Sequence, residues 1–164
     1  MIGIFDSGYG GLTVFKEIKK LLPDYSYIYL GDNLRTPYGG RSQEAVYEFT
    51  KEAASFLFNK GCHLIIIACN TASSEALRKL QQEWLPSEYP DRKILGVIRP
   101  LAEVAVLESK YKKIGVVGTK ATIESESYNK ELKAQDNDLN IYTNACPLLV
   151  PLVEEGWLKN VATR

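Results

Sequence analysis

Short unbroken apolar runs alternate along this chain with stretches in which apolar residues recur every three or four positions. Residues 2–5 predict a first strand. Leu12, Phe15, Ile18 and Leu22 then follow at helical spacing, and Pro23 ends that helix. Residues 25–30 predict a second strand, and a polar loop with Pro37, Gly39 and Gly40 occupies 31–42. Val46, Phe49, Ala53, Phe56 and Leu57 mark a helix that Gly61 terminates. A third strand is expected over 63–68 and a helix over 72–84, with Pro86 and Pro90 bracketing a loop. The pattern goes on with a strand over 94–98 and a helix near 101–107 after Pro100. A strand over 114–118, a helix near 123–134 and a strand over 139–143 follow. Pro147 and Pro151 introduce a last helix ending near Trp157.

Strands alternating with helices argue for an α/β fold, a parallel sheet with flanking helices joined by right-handed crossovers. The pattern also echoes itself. Ile2-Gly3-Ile4 recurs as Ile114-Gly115-Val116, 112 residues later, and the second strand recurs near residues 139–142. This predicts two similar α/β units in tandem, a first over 1–94 and an incomplete second over 95–164. The turn around Cys69 would then reappear at about position 181 of a longer chain. The echo thus reads the sequence as the amino-terminal part of a larger protein, with unpaired sheet edges and apolar patches left exposed.

The chain has 164 residues, enough for a sizeable core. Twenty basic residues balance twenty acidic ones, so nothing points to nucleic acid or an anionic membrane as a partner. Three cysteines without a CxxC pair make a disulfide framework or zinc site unlikely and fit a reducing cytoplasm. One histidine and scattered carboxylates assemble no metal site. Residues 2–5 run straight into a strand without a basic leader, and the longest apolar run is far too short to span a bilayer.

Candidate chemistry gathers where strands end. Cys69 closes the run Leu64 to Ala68 and opens a polar turn into a helix, Asn70-Thr71-Ala72-Ser73-Ser74. In a parallel sheet, ligands bind outside the carboxyl ends of the strands, and a helix start there favours a thiolate. A buried structural cysteine is the alternative. Asp6-Ser7-Gly8-Tyr9-Gly10-Gly11 also joins a strand to a helix, but it matches neither GxGxxG nor a Walker loop. Its amides suit a carboxylate and Asp6 suits an ammonium group, so a zwitterion such as an amino acid fits the turn. A tight turn with Asp6 serving as a cap is the other reading. The third loop carries Tyr38, a side chain able to close over a ligand, in Pro37-Tyr38-Gly39-Gly40. Asp6, Ser7, Tyr38, Cys69, Asn70 and Thr71 are therefore expected to share one cleft.

Five segments, IGIFDSGYGGLTV (2–14), GDNLRTPYGGRS (31–42), IIIACNTASS (65–74), GVVGTKATIES (115–125) and CPLLVPLVEEG (146–156), occur in this order. The chain resembles glutamate racemase over essentially its whole length. That family belongs to the cofactor-independent amino-acid racemases. The resemblance implies two pseudo-symmetric α/β units with the site between them. It also implies a two-base mechanism in which one cysteine removes the α-proton of glutamate and a second protonates the opposite face. Cys69 matches the first family cysteine, and Asp6 matches a residue close to that thiol. Asp6, Ser7, Tyr38, Gly39, Asn70 and Thr71 match substrate contacts, and Thr119 and Thr122 match hydroxyls contributed by the second unit. The resemblance further implies no cofactor, glutamate as the small-molecule partner, a supply of D-glutamate for peptidoglycan, and a possible homodimer of the full-length protein.

Departures from the pattern matter. The family's second motif, Gly-Cys-Thr-His, is absent from these residues, so the chain alone is expected to be inactive. Cys146 lies in a segment that the family carries in addition to its second catalytic cysteine, and Cys62 precedes its strand at the wrong end of the sheet. Arg99 stands where many relatives carry Glu, and Lys120-Ala121 replaces a more common Gly-containing turn. An aspartate racemase of the same superfamily, or an amino-acid-binding protein without turnover, are the competing readings.

Overall fold

The computed structural model describes residues 1–157 and 159–161. Residues 162–164, which the expected second unit includes, lie outside them. Four strands, β1 (Ile2–Asp6), β2 (Tyr27–Gly31), β3 (Leu64–Ile67) and β4 (Lys93–Gly96), form a parallel sheet in the order β2-β1-β3-β4. Strand β1 lies inside this sheet and is buried at all five positions, which explains its nearly continuous apolar sequence.

Helices cover both faces. On one face α1 (Gly11–Leu21) sets Val14, Phe15 and Ile18 against Ile2, Ile4 and Ala68. On the other, α2 (Gln43–Asn59) packs Val46, Ala53, Leu57 and Phe58 against Phe5, Ile65 and Ile67. Alternate residues of β1 and β3 thus serve different helices, as the two-residue period of a strand requires. The Ser42 hydroxyl accepts the Ala45 amide and opens α2, and Gly61 follows its end at φ +90°.

After β3 come α3 (Asn70–Glu75), α4 (Leu77–Lys79), a π-helical turn over Leu80–Trp84 and α5 (Leu85–Glu88). The single helix expected over 72–84 is therefore interrupted at Ala76 and continues past residue 84. Pro86 sits in the first turn of α5 and does not open a loop. A proline is tolerated there, and the wider turn ahead of it displaces the carbonyl its ring would otherwise meet. Leu80 and Trp84 of this segment are buried, with Trp84 against Phe58 and Tyr89.

Two further strands, β5 (Lys113–Gly118) and β6 (Asn140–Ala145), form a separate parallel pair. Around them lie α6 (Ile98–Glu108), α7 (Lys120–Glu124), α8 (Ser127–Gln135) and α9 (Leu149–Glu154). The fourth strand stops at Gly96, so Ile98 opens a helix where a strand was expected. Pro100 falls in the first turn of that helix, where its missing amide costs nothing. The helix expected near 123–134 is two helices, because Glu126 adopts φ +54° between them. A division after Ile94 would run through β4. The two sheets separate between Gly96 and Lys113.

The echo in the sequence has a structural counterpart in two parallel β-α-β pairs. Ile2 pairs with Tyr27, whereas Ile114 pairs with Ile141, two places beyond the 112-residue offset. Ala102, Leu132 and Leu139 form the small core of this second pair, on one face only.

Candidate active site

Parallel pairing brings the ends of β1, β2 and β3 to one edge, and backbone bonds carry that alignment into the loops. The Asp32 amide donates to the Asp6 carbonyl (3.0 Å) and the Ala68 amide to that of Phe5 (2.7 Å). Gly31 is required at the end of β2, since a Cβ there would lie 2.7 Å from the Gly8 carbonyl oxygen. The Tyr29 hydroxyl donates to that same oxygen at 2.8 Å, pinning the Asp6-Ser7-Gly8 turn to the sheet.

Asp6 is buried, and its Oδ2 accepts the amides of Gly8 and Gly11, each at 3.1 Å. It thus ties down the start of α1, the capping reading of this turn. The same carboxylate also faces the thiol. Cys69 is 6% exposed and stands in extended backbone at the head of α3. Its Sγ lies 3.4 Å from the Ser7 hydroxyl and accepts the Ala72 amide at 3.4 Å.

Burial pushes the Cys69 thiol above its ordinary range, and the Asp6 carboxylate pushes it further. The hydrogen bonds from the Ser7 hydroxyl and from the Ala72 and Ser7 amides pull the other way without prevailing. The expectation that the helix start enriches the thiolate is therefore corrected. A helix of six residues carries little dipole, and it is outweighed by desolvation and a neighbouring negative charge.

Tyr38 is not placed to close over a ligand. It is 1% exposed, wedged between Phe5 and Phe49, and its hydroxyl donates to Asp32 Oδ2 at 2.6 Å. Asp32 also pairs with Arg35 at 2.6 Å, so the loop is held from beneath. Burial, then the hydrogen bond and charge of Asp32, raise the Tyr38 phenol well above its ordinary value and keep it protonated.

This fixed loop meets the second sheet at Gly39. Its carbonyl accepts the Ala121 amide at 3.2 Å, and a Cβ on Gly39 would fall 2.5 Å from Thr119 Cβ. Beside that contact three hydroxyls form a closed triangle. Thr71 lies 3.0 Å from Thr119 and 3.3 Å from Thr122, and Thr119 and Thr122 are 2.9 Å apart. Thr119 also caps α7 by accepting the Thr122 amide. Asn70 is exposed, and its Oδ1 accepts the Tyr128 hydroxyl of α8 at 2.6 Å.

The structure thus joins Asp6, Ser7 and Cys69 in one cluster and Thr71, Thr119 and Thr122 in an adjoining one. Gly39 and Asn70 sit at the junction, and Tyr38 lies beneath it. Sequence reasoning missed two residues. Glu154 of α9 brings Oε1 to 3.8 Å from where a Gly8 side chain would begin. It stands in one of the segments that carry the resemblance, but as a residue to which no role was given. Tyr128 sits in a helix with no motif to single it out.

Of the other thiols, Cys62 lies apart, whereas Cys146 stands at the strand-end edge of the second sheet, its amide donating to the Gly118 carbonyl at 2.8 Å. Cys62 is buried ahead of β3, at the opposite end of the sheet, and Arg92 binds its carbonyl at 2.7 Å. Cys146 follows β6 and accepts the Asn144 amide nitrogen at 3.3 Å. Among the described residues no group of three His, Cys, Asp or Glu could hold a metal, and no helix is long and apolar enough to cross a membrane.

Paired parallel units whose strand-end loops meet around a buried thiol, a carboxylate and three hydroxyls define an α/β protein with its candidate site at the strand ends. Within that class the chain's sequence and fold match glutamate racemase. It is 55% identical over 160 residues to a glutamate racemase of Sulfurihydrogenibium sp., covering 97% of this chain and 59% of that protein. A glutamate racemase isoform of Bacillus anthracis superposes with a TM-score of 0.90 at 40% identity, covering 99% of this chain and 59% of that one. A Francisella tularensis glutamate racemase in complex with D-glutamate superposes with a TM-score of 0.84 at 35% identity, covering 98% of this chain and 58% of that one. The chain thus spans about 59% of the length of the curated relatives it matches first. No protein-family model matches it.

Proposed function

We propose that the strand-end edge carrying these side chains binds glutamate and that Cys69 is one of two bases that interconvert its enantiomers without a cofactor. The observation that carries the reading is the Cys69 thiol, buried beside the Asp6 carboxylate and 3.4 Å from the Ser7 hydroxyl. Such a thiol is neutral until something nearby compensates its charge. A substrate ammonium entering beside Asp6 supplies that compensation, so the thiol releases its proton to solvent water and the thiolate forms when it is needed.

The thiolate then takes the α-proton, forming S–H and leaving an electron pair on Cα and the adjoining carboxylate. The hydroxyls of Ser7, Thr71, Thr119 and Thr122, with the Asn70 amide, are the donors that stabilise this charge and hold the substrate. A second thiol on the opposite face gives up its proton to Cα and becomes the thiolate, so the pair exchanges roles with direction. The resemblance puts that second thiol in a Gly-Cys-Thr-His motif these residues lack, with Cys146 in a separate segment of the pattern, and Cys62 lies at the opposite end of the sheet. The 164 residues therefore bind amino acid without racemising it. The whole protein would act in the cytoplasm to supply D-glutamate for peptidoglycan, and a homodimer is consistent with this role.

Titration of the 164-residue chain with D- and L-glutamate, followed by NMR at Thr71 and Gly39, tests the reading. Glutamate-dependent shifts at both positions with no racemisation are expected. A flat response to glutamate alongside a clear response to aspartate would move the assignment to an aspartate racemase. A response to neither would remove the binding role.

A further inference from the structure

Asn70 follows Cys69 directly, yet its side chain is oriented from the second half of the chain. The Tyr128 hydroxyl donates to Asn70 Oδ1 at 2.6 Å, a short bond between residues 58 apart in sequence. A carboxamide has one accepting and one donating end, so fixing the oxygen fixes the nitrogen. Asn70 Nδ2 makes no hydrogen bond to any described residue, and the residue is exposed.

Tyr128 is well placed to do this. Two neighbours on α8 hold the helix against the segment after Cys69. The Ser127 hydroxyl donates to the Ser74 carbonyl at 2.9 Å, and Glu131 pairs with Arg78 at 3.6 Å. The turn at Glu126, with φ +54°, sets the direction in which α8 leaves α7. Burial raises the Tyr128 phenol above its ordinary range, so the hydroxyl stays protonated and remains a donor.

We infer that Tyr128 is a positioning residue that locks the Asn70 carboxamide with its NH2 toward the cleft, presented to a carboxylate of the bound amino acid. The inference rests on the proposed amino-acid site for its ligand, but not for its geometry. It also gives α8 a part in binding that neither the thiol nor the threonine triangle requires. Without the tyrosine hydroxyl the carboxamide rotates freely, and half of its orientations turn an oxygen toward an anionic ligand.

The test uses the 164-residue chain and its Tyr128→Phe, Asn70→Ala and doubly substituted forms, with D-glutamate as probe. In the unsubstituted chain the Asn70 NH2 resonances are expected to be dispersed and to move on addition of D-glutamate. Tyr128→Phe collapses them toward free-amide positions and weakens binding roughly five- to tenfold, the loss expected for one hydrogen bond. In the Asn70→Ala background the same substitution has no further effect, because it acts through Asn70. Unchanged Asn70 resonances in Tyr128→Phe would overturn the inference, as would a full additional loss in the double variant. Should Tyr128→Phe collapse the resonances while D-glutamate shifts nothing in the unsubstituted chain, the positioning stands and the glutamate reading fails. A melting temperature taken for each variant identifies any that fails to fold, and Tyr128→Leu then serves in place of Tyr128→Phe.

Discussion

The two sheets of this molecule start from the same local device, a strand that ends in a polar turn and a helix, and end in different states. Strand β1 is buried at every position, between neighbours on both sides and helices on both faces. Its counterpart β5 alternates between exposed and half-buried positions, with helices packed against only one face. Val117 and Tyr142, on the other face, are each 62% exposed. The division of labour follows the difference in burial. The enclosed sheet holds the groups whose properties depend on exclusion of water, Asp6 and Cys69. The open pair contributes Thr119 and Thr122, neutral hydroxyls that need position and not a low dielectric.

The comparison breaks most directly on a matched pair of substitutions. Leu57→Ala in the enclosed core should cost about 2–5 kcal/mol of stability, whereas Val117→Ala on the open face should cost less than about 0.5 kcal/mol. Chemical denaturation of both variants decides it. Equal losses would mean that the open face is covered in solution.

A smaller effect sharpens the electrostatic half of the comparison. The Cys69 thiol is raised by burial and then by Asp6, so alkylation should be slow at neutral pH and accelerate only above the ordinary thiol range near 8.5. Asp6→Asn removes the repelling charge and should move that profile to lower pH. The linked effect on stability has a definite sign. A thiol whose folded pKa lies above its unfolded value contributes fully below the unfolded value, and its contribution is lost as pH rises. Unfolding monitored from pH 7 upward should therefore show stability falling first as unfolded cysteine begins to ionise. An alkylation profile unchanged in Asp6→Asn would detach the carboxylate from the thiol.

Much of this arrangement was legible in the residues themselves. Period and punctuation located every strand to within a few positions, because buried parallel strands leave continuous apolar runs and glycine marks their turns. The strand-end rule brought Asp6, Ser7, Cys69 and Thr71 to one edge. What escaped depended on contacts distant in sequence. Tyr38 looks like a mobile loop residue until Phe5, Phe49 and Asp32 surround it. The direction of the Cys69 shift follows from the depth of burial and from Asp6, 63 residues away, neither of which a strand–helix pattern encodes. Pro86 was misread because a proline that normally ends a helix is accommodated here by a π turn. Tyr128 carries no local signal, since its significance lies in Asn70.

The central claim is that Cys69 takes a proton from the α-carbon of glutamate. Deuterium incorporation at Cα in heavy water measures this directly, with the chain joined to the part of the Sulfurihydrogenibium relative that it does not cover. Incorporation into glutamate is expected, and Cys69→Ala should reduce it by at least about a hundredfold. Undiminished incorporation in Cys69→Ala, or none with Cys69 intact in a folded hybrid, would contradict the account.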